Sequence, residues 1–221
     1  PPNYHLLISK NRIELNTGPK ENGFRPAVDP LFRTASRAHG ASVMGVILSG
    51  ALDDGSYGLK VVKDNGGIAV VQDPKEASHP GMPLSALQAV KADHVLPAAD
   101  IGRLISEWNS RGSREGTAMA RRKEPEPQDP ADHTTVEDMN REFGRPSALT
   151  CPDCGGALWE IDDGGLTRFR CHVGHQYTTE ALDAEQQELV EGALWSAVRV
   201  LEERAELRRK MARRAQERGM K

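Results

Sequence analysis

The stretch "GVILSGALDDG", residues 45–55, decides how the first half of the chain is interpreted. Its apolar start predicts a strand buried in a sheet, and Asp53 and Asp54 follow directly before Gly55. In open sheets of parallel strands, functional sites lie beyond the carboxyl ends of the strands. The two acids are therefore candidates for a cation site, an acid/base pair or the carboxylate of a catalytic triad. The alternative is that one of them only caps the helix that begins near Gly55.

Strand and helix patterns alternate around this stretch, over residues 1–108. Further strands are predicted by the apolar runs "YHLLI", "RIEL", "IAVVQ" and "HVLP", the first two as a β-hairpin. Helices are predicted by apolar residues at helical spacing in "VDPLFRTASRA", "GSYGLKVVKD", "MPLSALQAV" and "ADIGRLISEW". We therefore expect an α/β fold over 1–108, the C-terminal part of a doubly wound, mostly parallel sheet.

Composition restricts the possible partners and the cellular compartment. The 221 residues carry a net charge of −3, so no overall basic excess argues for nucleic acid. No apolar run approaches the roughly 20 residues of a membrane span, and no signal-peptide pattern is present. We expect a cytoplasmic protein without membrane insertion. The chain begins "PPNYHLLISK", without an initiator Met, and we expect it to be part of a longer protein.

Three further segments follow residue 108. Residues 109–147 are rich in Arg, Glu, Pro, Ser and Gly and predict a flexible linker. Residues 148–177 hold a compact Cys/His cluster, and residues 178–221 predict a long amphipathic helix. The apolar stripe of this helix can pack against the Cys/His module or against a second copy, which would give self-association. Its basic end could touch an acidic partner, nucleic acid or lipid, but interleaved acids favour a solvated face.

The clustered cysteines indicate a metal site rather than disulfides. Cys151 and Cys154 form a C-x2-C turn, and "CHVGH" adds Cys171, His172 and His175. Three sulfurs and one imidazole complete a closed tetrahedral site, which suits structural zinc. Either histidine can be the fourth ligand. We favour His175, because the side chains of adjacent residues on an extended chain point apart and C-x3-H spacing folds back more easily.

Four motifs in the first half carry a family resemblance: "GPKENGFRPAVDPLF", "GVILSGALDDGSYGL", "GGIAVVQDP" and "GMPLSAL". In this order they resemble the C-terminal half of the CheB-type protein-glutamate methylesterase catalytic domain, over about residues 1–108. The zinc-ribbon-like "CPDCGGALWE" to "CHVGH" segment and the helix after it resemble the tail of a subgroup of that family without the usual receiver domain.

The resemblance implies a hydrolase of chemotaxis-type, phosphorelay-linked signalling. Such enzymes hydrolyse γ-glutamyl methyl esters on methylated chemoreceptors or similar signalling proteins, and some deamidate glutamine, through a Ser-His-Asp triad. Asp54 falls on the position of the catalytic aspartate, and Asp53 falls on a variable position, as a bystander or cap. Ala51 and Leu52 replace Met and Gly of the usual G-M-G-x-D-G pattern.

The other two triad members precede the matched region in the family, and no motif here corresponds to them. Ser49 and Ser56 lie in no G-x-S-x-G elbow, and His79 is expected to be a solvated loop residue. We therefore expect this chain alone to be inactive. We also expect it to be poorly soluble, because the sheet would lack its first strands. The alternative function is a non-enzymatic scaffold or protein-interaction protein built on the zinc module and helix.

Four further residues match the family motifs. Arg25, Pro26 and Asp29 resemble an "RPSVD" element, and His5 resembles a histidine of the subgroup. Arg25 can contact an acidic substrate region or make a packing or ion-pair contact, and we favour the second. His5 is expected to have a structural role.

Overall fold

The computed structural model describes residues 1–10, 12–112 and 144–217. The chain forms two compact units, Pro1–Leu182 and Asp183–Lys221. Most of the predicted linker, 113–143, lies outside the described residues. No helix of the described ranges is both long enough and apolar enough to cross a membrane.

Nine strands and five α-helices are found in the described ranges. The strands are β1 (His5–Ser9), β2 (Arg12–Asn16), β3 (Met44–Ile47), β4 (Ile68–Gln72), β5 (His94–Leu96), β6 (Arg145–Thr150), β7 (Ala157–Asp162), β8 (Thr167–Cys171) and β9 (Gln176–Thr178). The helices are α1 (Val28–His39), α2 (Ser56–Asp64), α3 (Gly81–Ala89), α4 (Ala98–Gly112) and α5 (Thr179–Glu217).

A three-stranded parallel sheet lies at the centre of the first half of the chain. Its order is β3-β4-β5, and β1 and β2 form the predicted antiparallel hairpin beside it. The expected α/β fold with a parallel sheet is therefore present over the matched region. Continuous burial, which the sequence predicted for β3, belongs instead to β4, where residues 69–72 are all buried. Burial alternates along β3, because Gly45 and Ile47 are on the face that packs against Leu59 of α2.

Helices α1, α2 and α3 share one core with the sheet. Ile47, Leu59, Val71 and Ala86 are buried in it, with Phe32 of α1 packed alongside. A side chain at Gly45 would meet Leu59 of α2 at 2.7 Å, so glycine allows the close approach of α2 to β3. This packing places the start of α2, and the two acids before it, at the carboxyl end of β3.

The Cys/His segment forms a four-stranded antiparallel meander in the order β6-β7-β8-β9. Its small core contains Leu158, Phe169, Tyr177 and Leu182 besides two cysteines. Helix α5 follows β9 without a break and runs for 39 residues, close to the predicted 178–221.

A loop of the first half extends this meander. The Asn22 amide donates to the Gln176 carbonyl at 2.7 Å, and the Gln176 amide donates to the Lys20 carbonyl at 3.2 Å. Glu21 and Gln176 thus form a parallel bridge. Both parts belong to the compact unit Pro1–Leu182.

Candidate functional site

Asp54 lies after the carboxyl end of β3 and faces the first turn of α1. Its Oδ2 accepts the Val28 amide at 2.8 Å, and its Oδ1 accepts the same amide at 3.0 Å and the Asp29 amide at 3.4 Å. Burial raises the pKa of Asp54, although the two amide hydrogen bonds act to lower it. The carboxylate is therefore fixed by backbone donors at the positive end of a helix.

The capping hypothesis was right about the interaction and wrong about the helix. Helix α2 begins at Ser56, and its N-cap residue Gly55, with φ 88°, makes no side-chain hydrogen bond to it. Asp54 instead supplies the acceptor that α1 needs, because Ala27 at the N-cap of α1 offers no polar side chain.

Asp53 points to a different neighbour. Its side chain is buried and accepts a hydrogen bond from the Thr178 hydroxyl at the end of β9, while Oδ1 has no protein partner among the described residues. Burial raises the pKa of Asp53 to about 6. The sequence predicted Asp53 to be a bystander or a cap. In the structure, Asp53 connects the loop before α2 to the end of β9 in the Cys/His segment.

Asp29 is a third acid in the same region, and like Asp53 it is buried. Its Oδ1 accepts the Gly58 amide at 2.6 Å, and its Oδ2 accepts the Asn22 side-chain amide at 3.2 Å. Burial raises the pKa of Asp29 to about 7, and the Asp54 carboxylate adds to the increase. Clusters of buried acids with raised pKa values are typical of functional sites.

A buried ion pair lies next to these acids. Arg33 of α1 donates from both terminal nitrogens to Glu21, at 2.7 Å and 2.6 Å. Asn22 accepts the Thr178 amide at 3.1 Å through its side-chain oxygen. The 21–22 loop therefore holds α1 and the Cys/His module together. Sequence reasoning singled out neither of its two residues, since no motif marks long-range partners.

Ser49 and His79 come together, but not as a catalytic pair. The Ser49 hydroxyl accepts the His79 backbone amide at 2.9 Å and donates to the His79 carbonyl at 3.4 Å. The imidazole takes no part in either contact. The geometry thus agrees with the expectation that these residues do not rebuild a triad.

Leu52 takes a backbone conformation that suits glycine. Its φ is 60°, in the left-handed region. This is the position where the resemblance placed a glycine in the G-M-G-x-D-G pattern. A leucine therefore adopts here a conformation that a glycine would adopt without strain.

The three cysteines and one histidine converge at the end of the meander. The ligand atoms of Cys151, Cys154, Cys171 and His175 all lie within 4.8 Å of one another. Sγ of Cys151 and of Cys171 lie 3.6 Å and 3.5 Å from Nδ1 of His175, and the Cys154 and Cys171 sulfurs are 3.7 Å apart. Ligands of a tetrahedral zinc ion are separated by about 3.6 Å for sulfur to nitrogen and about 3.8 Å for sulfur to sulfur.

Two similar turns position the four ligands. The Gly155 amide donates to the Cys151 carbonyl at 2.8 Å, and the Gly174 amide donates to the Cys171 carbonyl at 2.9 Å. Both glycines have positive φ, which these turns require. His172 lies outside the cluster, with its ring edge-on to Trp159 at 4.7 Å between centroids.

A second layer of polar groups surrounds the cluster. The buried Tyr177 hydroxyl lies 3.6 Å from the Cys151 sulfur and donates to Asp153 at 2.5 Å. Lys20 forms an ion pair with Asp153 at 2.9 Å. Burial works to raise the pKa of Asp153, but the hydrogen bonds from Tyr177 and Lys20 outweigh it and lower the pKa. The cysteine spacing gave no signal for this layer.

His5 and Arg25 have structural contacts. Nε2 of the buried His5 bonds to the Pro19 carbonyl at 2.8 Å, and Nδ1 accepts the Ala27 amide at 3.3 Å. Arg25 donates to the Thr17 and Gly18 carbonyls at 2.9 Å and 2.6 Å. These contacts fix the segment that leads into α1.

Comparison with known proteins assigns the first half of the chain. The family model described as CheB methylesterase matches residues 1–105. We call residues 1–105 the CheB segment, after the family whose model they match.

Curated relatives agree with the assignment of this CheB segment. A protein of Leptospira interrogans named "Putative protein-glutamate methylesterase/protein-glutamine glutaminase" is 49% identical over 106 residues, which cover 48% of this chain and 55% of the relative. The Myxococcus xanthus "Protein-glutamate methylesterase FrzG" is 38% identical over 109 residues, or 49% of this chain and 33% of the relative. The chain therefore spans about half the length, or less, of these curated relatives.

A solved structure is also similar. The Thermotoga maritima CheB methylesterase catalytic domain is 34% identical, with a TM-score of 0.46, and the match covers 48% of this chain and 59% of that one.

The left-handed conformation of Leu52 gives a stability prediction. Leu52→Ala and Leu52→Gly remove the same side chain and differ only in Cβ. We expect the Gly variant to be the more stable of the two by about 1 kcal/mol, because a Cβ is costly at positive φ. Urea denaturation measures the difference.

Glu107, at an exposed position inside α4, is the control. There the Ala variant should be more stable than the Gly variant by about 1 kcal/mol. An Ala variant at position 52 as stable as the Gly variant would contradict this reading of the loop.

The burial of Asp53 predicts a pH dependence of stability. Its pKa rises from 3.8 to about 6 on folding, so the folded state binds the proton more tightly. The free energy of unfolding should therefore fall as the pH rises through this window. Asp53→Asn removes the titrating group, so its free energy of unfolding should not fall in this way. Between pH 4 and pH 7, the stability of the variant relative to the wild type should therefore increase by about 1–3 kcal/mol.

Chemical denaturation at pH 4 and at pH 7 measures this gain. Asp183→Asn, at an exposed position, is the control and should follow the wild type at both values. If the two variants show the same change in stability between pH 4 and pH 7, the buried Asp53 carboxylate is not the cause of the pH dependence.

Proposed function

We propose that the CheB segment supplies the carboxylate of a Ser-His-Asp site in a protein-glutamate methylesterase, and that Asp54 is this carboxylate. The reaction consumes water and converts a γ-glutamyl methyl ester on a methylated chemoreceptor, or a similar signalling protein, into a glutamate carboxylate and methanol. Deamidation of glutamine by the same site would release ammonia. This enzyme would act in the cytoplasm.

The hydrogen bonds of Asp54 carry this proposal. A carboxylate offers about four acceptor positions, and the amides of Val28 and Asp29 use part of them. The remaining lone pairs can accept the Nδ1–H of a histidine. Because the amides hold the carboxylate in one orientation, it can fix the tautomer of the imidazole and stabilise the imidazolium. Asp53 faces Thr178 and is not available for that role.

We propose that the serine and the histidine of the site come from elsewhere in the protein. The 221 residues contain no G-x-S-x-G motif, and the Ser49 hydroxyl is bound to backbone groups of His79. A polypeptide of these 221 residues should therefore release methanol from a methylated receptor peptide only at the buffer rate.

A longer protein, in which an upstream segment that carries the serine and the histidine is joined to this chain, allows the direct test. Asp54→Asn should lower kcat by about 10³–10⁴-fold with a much smaller change in KM, because the histidine loses its orienting charge. Asp53→Asn is the matched control and should keep activity within a few fold.

The overall fold of both variants is checked by circular dichroism, since Asp54 also caps α1. Equal activity of the two variants would contradict the role of Asp54. A longer protein without any turnover would instead favour the alternative, a non-enzymatic scaffold.

We propose in addition that Cys151, Cys154, Cys171 and His175 bind one structural zinc ion. Four protein ligands close a tetrahedral site and leave no open position for a substrate or an activated water. The distances between the ligand atoms, 3.5–3.7 Å where two are in contact, support this geometry. The meander has a small core, so metal binding would supply much of its folding free energy.

The two neighbouring histidines provide a matched test of the zinc site. The wild-type chain should contain about one zinc per polypeptide by elemental analysis. His175→Ala should reduce zinc affinity by about 100-fold or more, whereas His172→Ala should retain the ion. A chelator competition assay measures both. Zinc loss in the His172 variant with retention in the His175 variant would contradict this ligand set, as would a zinc-free wild type.

A further inference from the structure

Helix α5 exposes a wide apolar band. Seven large apolar side chains between residues 189 and 201 are 44–67% exposed, the highest value being that of Trp195. They are Leu189, Val190, Leu194, Trp195, Val198, Val200 and Leu201. Only Glu191 and Arg199 are charged within this range. An apolar patch of this size on a helix marks an interaction surface.

The band is wider than the stripe of an ordinary surface helix. Successive residues of an α-helix are separated by 100° around the axis. The neighbouring pairs Leu194–Trp195 and Val200–Leu201 therefore point to different sides. A helix that is apolar around much of its circumference is normally buried among other helices.

The first part of α5 is acidic and the part from residue 204 is mainly basic, with Glu202 and Glu203 directly before the basic part. Residues 179–191 contain five acidic and no basic residues. Residues 204–214 contain six basic residues and one acidic residue. The apolar band lies between the two. If a second copy binds in the antiparallel direction, each acidic half faces a basic half, whereas a parallel copy would place like charges together.

The helix dipole does not account for this division. Acids are favoured at the N-terminus of a helix and bases at its C-terminus, but the effect fades within the first and last turns. It explains Glu180 and Arg214. It does not explain acids as far in as Glu188 or bases as far in as Arg204, which lie about three turns from the ends of the helix.

We propose that α5 is a self-association element, in which the apolar bands of two copies of this chain pack in antiparallel orientation. The acidic segment 179–191 of each copy then faces the basic segment 204–214 of the other. Segment 113–143 is a poor alternative occupant, because Met119, Val136, Met139 and Phe143 are its only large apolar residues. The proposal is independent of the methylesterase activity.

Sedimentation velocity on the 221-residue chain tests the apolar contact. The wild type should associate into species of at least two chains. Leu194→Glu combined with Leu201→Glu should shift it to monomer, with a loss of affinity of about 30-fold or more. Both side chains are exposed in the single chain, so the substitutions leave its folding intact.

The hairpin offers a matched control. Ile13 and Leu15 of β2 are also exposed, at 66% and 51%, and Ile13→Glu with Leu15→Glu should leave the association unchanged. If the hairpin variant becomes monomeric and the helix variant does not, the proposal is wrong. It is also wrong if the wild type is monomeric at every concentration tested.

Charge reversal tests the antiparallel direction. Arg204→Glu with Arg208→Glu should weaken association, because acidic segments would then face each other. Adding Asp183→Lys and Glu188→Lys to the same chain should restore it. In a parallel pair, reversing the two arginines would not weaken association, and reversing the two acids as well would not restore it. Raising the salt concentration should weaken wild-type association, since it screens the attraction. Stronger association at high salt would overturn the antiparallel arrangement.

Discussion

The contact between the Asp54 carboxylate and the first amides of α1 links the main parts of the CheB segment. It joins the loop after β3 to a helix that precedes β3 in sequence. A side-chain cap contributes about 1 kcal/mol to stability, which is small against the cost of burying a charge. The structure offsets that cost with backbone donors, since the amides of Val28, Asp29 and Gly58 all point at buried carboxylates. Such a carboxylate is held in one orientation, which is what a triad needs and what a solvated acid would not provide.

The loop that precedes α1 connects this helix with the Cys/His meander. Asn22 bonds to Asp29 on one side and to Thr178 on the other, so one side chain connects the start of α1 with the end of β9. Lys20, two residues earlier, is paired with Asp153 inside the C-x2-C turn. A metal ion that fixes this turn would therefore also restrain the loop that leads into α1.

The sequence predicted the features that depend on local pattern. Apolar periodicity located every strand and helix of the first half, because burial of one face imposes a fixed spacing. Cysteine spacing located the ligand cluster, since a C-x2-C turn needs only a few residues. The contacts of Asn22 with Thr178 and of Lys20 with Asp153 link residues more than 130 positions apart, and no periodic signal records such pairs. The same reason explains the capping error: an acid before a helix suggests a local cap, while Asp54 caps a helix 26 residues earlier.

The different roles of Asp53 and Asp54 follow from where each side chain meets a donor. They are adjacent; Asp53 is buried and Asp54 is half-buried, and burial raises the pKa of both. Asp54 meets two amides of α1, which favour its charged form and fix its orientation. Asp53 meets one hydroxyl and has one oxygen without a protein partner in the part of the chain that the structure describes. The backbone turn at Leu52, in its left-handed conformation, directly precedes the two acids and sets their directions. A left-handed turn of this kind is easiest for glycine, and in this chain a leucine forms it.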